Sequence, residues 1–90
     1  MRIELTVDNQ GAELIEELKI LSGIKTNKEF FNNTITLFEW AVLQEIRGRI
    51  VCSLDEENKN YKQLIMPSLE HARRSDQKLK VLQKREGKAA

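Results

Sequence analysis

Residues 1–7, Met1-Arg2-Ile3-Glu4-Leu5-Thr6-Val7, alternate polar and apolar side chains without interruption. Successive side chains of a strand point to opposite faces, so Ile3, Leu5 and Val7 share one row and Arg2, Glu4 and Thr6 the other. A lone strand leaves its backbone N–H and C=O groups without partners and its apolar row in water. Nothing else in the first half of the sequence has the character of a strand to pair with it. The alternation therefore predicts a second copy of the chain, strand against strand across a homodimer.

Length points the same way. Ninety residues make one small domain, and a chain of this size buries only a modest share of its surface unaided. The 40% hydrophobic content is too high for a disordered chain, and 32% charged residues argue for a water-soluble one. No apolar run approaches the roughly 18 residues of a membrane span. Glu4 and Asp8 interrupt any apolar signal core. A single cysteine, Cys52, cannot form an internal disulfide, which fits a reducing, cytoplasmic setting.

The formal charge of +1 conceals an asymmetry. Residues 73–90 hold seven basic side chains (Arg73, Arg74, Lys78, Lys80, Lys84, Arg85, Lys88) against Asp76 and Glu86, a net of +5. Residues 1–72 hold eight basic and twelve acidic side chains, a net of -4. Any basic footprint for a polyanion lies in this tail.

Turn chemistry at Asp8-Asn9-Gln10-Gly11 supplies an N-cap for a first helix from about Gln10 to Ser22. Leu14, Ile15, Leu18 and Leu21 form its apolar face; Glu13, Glu16, Glu17 and Lys19 form the wet one. Gly23 closes it, because glycine adopts the left-handed conformation cheaply. Thr26-Asn27-Lys28-Glu29 has the spacing of a capping box and starts a second helix that reaches about Arg47, before Gly48. Phe30, Phe31, Ile35, Phe38, Ala41, Val42 and Ile46 give it an apolar stripe, widened by Leu37, Trp40 and Leu43. That stripe is too broad for one short neighbouring helix and suits the centre of an intertwined dimer.

Beyond Gly48 the pattern changes. Arg49–Leu54 is rich in β-branched residues and reads as a short strand or extended arm, followed by a polar turn over 55–60. Tyr61, Leu64, Ile65, Met66 and Leu69 offer apolar contacts around Pro67, which must break or start a helix. From about Glu70, Leu79 and Leu82 have helical spacing within a composition equally compatible with a solvated tail.

A short alternating strand, a helix of about a dozen residues, a glycine turn, a Thr-Asn cap and a longer helix with aromatic residues together resemble the ribbon-helix-helix family. These are the bacterial DNA-binding proteins of the Arc, MetJ and CopG type. The resemblance covers residues 2–47 and rests on order, length and turn chemistry. It implies a mainly α fold with a short N-terminal strand, paired across an intertwined homodimer as an antiparallel two-stranded ribbon that enters the major groove. Residues 1–48 would form the dimerisation and DNA-binding domain, 49–72 a strand, turn and apolar appendage, and 73–90 a basic tail, helical or disordered.

The family's base-reading positions fall on Arg2, Glu4 and Thr6. Arginine gives two hydrogen bonds to guanine O6 and N7, threonine serves either edge or a thymine methyl, and glutamate accepts only from the cytosine amino group. The family's phosphate anchor, the open start of the second helix, falls on Lys25, Thr26 and Asn27, with Lys28 beside them; free amides and the helix dipole favour an anion there. Glu4 departs from the neutral or basic residues usual at such positions.

Other chemistry is sparse. His71 is the only histidine, and no second His or Cys stands at metal-ligand spacing. No nucleophile triad or glycine-rich phosphate loop is present, so neither catalysis, nor a metal, nor a cofactor is expected. Two functions remain. The first is a homodimeric, sequence-specific transcriptional regulator of double-stranded DNA. The second is a ribbon-helix-helix dimer acting as an antitoxin-like or adaptor module, meeting a protein partner through residues 49–90 with little or no DNA binding. Neither involves a membrane.

Overall fold

The computed structural model describes residues 2–88, with side chains to Arg85. Met1 of the expected strand, Ala89 and Ala90 of the expected tail, and the side chain of Lys88 lie outside the described residues. Those described form four helices and one two-stranded antiparallel sheet: α1 (Asn9–Ser22), α2 (Asn27–Ile46), β1 (Cys52–Asp55), β2 (Asn60–Gln63), α3 (Pro67–Arg74) and α4 (Lys78–Lys88). The chain divides into two compact units, Met1–Thr36 and Leu37–Ala90.

The element order overturns the ribbon-helix-helix expectation. Residues 2–8 adopt neither strand nor helix, and the only sheet among the described residues lies in the middle of the chain, between β1 and β2. The cause lies in pairing. Alternation makes a segment suitable for a sheet, but a strand exists only where a neighbour takes its N–H and C=O groups. β1 and β2 find each other across a four-residue connection, whereas residues 2–8 have no such neighbour among the described residues.

In the first unit, the Asp8 carboxylate caps α1, accepting from the Gly11 amide at 2.7 Å. Gly23, at φ 74°, ends α1: its amide donates to Ile20 and that of Ile24 donates to Lys19. This pair of reversed bonds satisfies carbonyls that the helix leaves open. The leucine face of α1 is not covered. Leu14, Leu18 and Leu21 are 54%, 41% and 83% exposed, and no residue of α1 is buried. The row Gly11, Ile15 and Lys19 is partly covered instead. Among the described residues of this unit only Phe30 is buried, with Phe31 edge-on to it at 5.4 Å between ring centroids.

In the second unit, the C-terminal half of α2 closes on Gly48 (φ 80°) by the same device, Gly48 to Glu45 and Arg49 to Gln44. The hairpin pairs Cys52 with Gln63, Ser53 with Lys62, Leu54 with Tyr61 and Asp55 with Asn60. The Leu64 amide extends the ladder to the Val51 carbonyl at 2.7 Å. Pro67 opens α3, where a missing N–H costs nothing. Ala41, Ile46 and Leu69 form the small apolar core, and Glu45 is buried with them. Arg73 holds α3 to α2: its Nε donates to Glu45 at 3.0 Å and its terminal nitrogen to the Arg49 carbonyl at 3.2 Å.

Candidate nucleic-acid interface

Arg2, Glu4 and Thr6 are all exposed on the N-terminal segment. The Arg2 guanidinium meets the Glu4 carboxylate at 3.1 Å, with both side chains more than three-quarters exposed. An ion pair that open to water contributes roughly 0–1 kcal/mol, so either partner exchanges it readily for another ligand. Leu5 and Val7 line a hollow of about 180 Å³ together with Ile15 of α1 and Asn27 and Phe31 of α2. That hollow brings the neighbours of Glu4 and Thr6 beside the start of α2.

At that start, Thr26 is a cap. Its hydroxyl accepts from the Glu29 amide at 3.1 Å, and its carbonyl accepts from Phe30 at 3.0 Å. Among the described residues the amides of Asn27 and Lys28 donate to no protein acceptor, which leaves two N–H groups at the positive end of a 20-residue helix. Lys25 and Lys28 are exposed beside them, while Glu29 in the first turn opposes an anion. The Asn27 side chain is already engaged, its Oδ1 accepting from Lys19 Nζ at 3.0 Å.

Lys19 is the residue that sequence reasoning missed. Assigned to the wet face of α1, its side chain is only 12% exposed, bonded to Asn27 and to Glu16 at 3.2 Å. The available signal was its spacing: Gly11, Ile15 and Lys19 recur every four residues and lie on one face. It brings a third ammonium group to the start of α2.

The basic tail is partly consumed by the fold. Arg73 is taken by Glu45, Arg85 pairs with Glu39 at 3.1 Å, and Lys78 Nζ donates to the Arg73 carbonyl at 3.3 Å. Arg74, Lys80 and Lys84 form no ion pair among the described residues. Cys52 is exposed and reduced, His71 is exposed, and no three His, Cys, Asp or Glu residues cluster at metal-binding distance among the described residues. No helix is long and apolar enough to cross a membrane among the described residues. A scan against protein-family models found no match, and comparisons with curated proteins and with solved structures found none either.

Proposed function

We propose that the chain is a homodimeric, cytoplasmic transcriptional regulator that binds double-stranded DNA through its N-terminal segment and the start of α2. The observation that carries this reading is the grouping within residues 1–36. Leu5 and Val7 of the N-terminal segment line a hollow that Asn27, at the start of α2, also lines; Arg2 and Thr6 are exposed on that same segment, and Lys25 and Lys28 are exposed beside the open amides of α2. Arginine and threonine suit base edges, and helix amides with lysines suit a phosphate. The uncovered leucine face of α1 gives a second copy its apolar contact.

Selection of random duplex fragments at near-physiological salt tests this reading. Retained fragments share a short motif, and Arg2→Ala weakens the selected site by about 1–3 kcal/mol if its guanidinium reads a guanine. Lys25→Ala together with Lys28→Ala weakens all duplexes alike and flattens the salt dependence, as phosphate contacts require.

A specific observation favours the rival, a protein-interaction module. Residues 1–36 carry four basic against six acidic side chains, and Glu4 engages Arg2 directly. Under that reading no duplex is retained, and Arg2→Ala alters only surface charge.

A further inference from the structure

Residues 37–88 hold a second hollow, of about 200 Å³, between the end of α2, the segment 63–65 at and after the end of β2, and the face of α3. Its apolar wall is Leu64, Ile65 and the fully buried Leu69. Its charged wall is Glu45, Glu70, Arg73 and Arg74. Two of these four are satisfied by one another: Arg73 neutralises the buried Glu45 and spends a further nitrogen on the Arg49 carbonyl. The other two are not. Glu70 and Arg74 lie one turn apart on α3, the spacing and order at which a carboxylate and a guanidinium ordinarily pair along a helix. Among the described residues they form no ion pair, and both line the hollow.

An open anion and an open cation beside an aliphatic wall define a ligand of opposite polarity at two ends with a small apolar body. We infer that this hollow binds a free aliphatic amino acid. Its ammonium group meets Glu70, its carboxylate meets Arg74, and its side chain lies on Leu64, Ile65 and Leu69. A carboxylate is the planar acceptor that a guanidinium fork matches with two parallel hydrogen bonds. Side chains one turn apart have Cβ atoms about 5–6 Å from each other, a span that the adjacent charged groups of an α-amino acid bridge. Ligands of leucine size suit the volume, which lies below the range of pockets that hold drug-sized molecules. The inference is independent of DNA binding, because it rests on residues of the second unit alone.

Titration calorimetry on the full chain tests it with L-leucine as the probe, beside 4-methylpentanoate, which lacks the amine, and isoamylamine, which lacks the carboxylate. L-leucine gives a saturable isotherm in the millimolar range or tighter, and each truncated analogue binds about tenfold more weakly or worse. Arg74→Gln and Glu70→Gln each reproduce that loss. Both residues are exposed, so neither change threatens folding, and Lys80→Gln, outside the hollow, leaves binding unchanged. No saturation with L-leucine at about 20 mM overturns the inference. So does binding of either analogue as tight as that of L-leucine, or full affinity in both variants.

Discussion

Glu45 is 4% exposed, and among the described residues its carboxylate pairs with Arg73 alone, itself 40% exposed. Removing Arg73 leaves a carboxylate inside apolar packing with no compensating charge. Losing one partner of a fully buried pair costs about 3–5 kcal/mol; discounted for the wet side of Arg73, Arg73→Ala destabilises the second unit by about 2 kcal/mol. Glu45→Gln keeps an acceptor and discards the charge, so it costs less. Urea denaturation at one fixed protein concentration compares the two, and equal losses would contradict this account of the pair.

Asp55 illustrates charge held by a turn rather than by burial. The Asn58 side chain donates to its carboxylate at 2.8 Å, and the amides of Asn58 and Glu57 point to the same group. These bonds, the Asn58 side chain foremost, hold the Asp55 pKa below the usual aspartate value of 3.8. A depressed pKa stabilises the folded turn above the unfolded value and loses that contribution as pH falls through the folded one. The hairpin loop therefore loosens only below about pH 4, and Asn58→Ala raises the Asp55 midpoint in a carboxyl NMR titration.

At the scale of elements, the helices whose ends carry specific chemistry were legible in sequence. Asp8, Gly23 and Thr26 adjoin the ends of α1 and the start of α2, and Gly48 stands two residues beyond the end of α2, because caps are local and their side chains are short. Pro67 likewise marks α3. Gly23→Ala forces a β-carbon into the left-handed region and costs about 1 kcal/mol, read as an earlier thermal midpoint. β2 was hidden because Asn60-Tyr61-Lys62-Gln63 has no apolar alternation; it is a strand because β1 lies opposite and Leu54 meets Tyr61 across the ladder. α4 was ambiguous for the opposite reason, since its composition suits solvent as well as a helix. The N-terminal segment misled because alternation describes what a strand can bury and not whether a partner is present. Lys19 misled because charge was taken to mean exposure, whereas a lysine stem covers apolar surface as well as leucine does. The hollow against Glu70 and Arg74 joins residues from three elements, and no linear spacing announces it.

At the scale of the molecule, the surface left uncovered is the dominant quantity. On α1, Leu14, Leu18, Ile20 and Leu21 are 41–83% exposed, an apolar surface that pairing with a second copy would cover. Sedimentation equilibrium is expected to give a dimer at micromolar concentration, with a melting temperature that rises as protein is added. Leu14→Glu with Leu18→Glu, on the uncovered face of α1, converts it to monomer. An unchanged mass in that variant would place the interface elsewhere.

Among the described residues of 1–36, Phe30 alone is buried. A segment with so little of its own to close around cannot finish folding in isolation at a rate set by its sequence. Under the dimer reading its last step is an encounter between two chains, so refolding slows with dilution and newly made chains mature fastest where their neighbours are being made too.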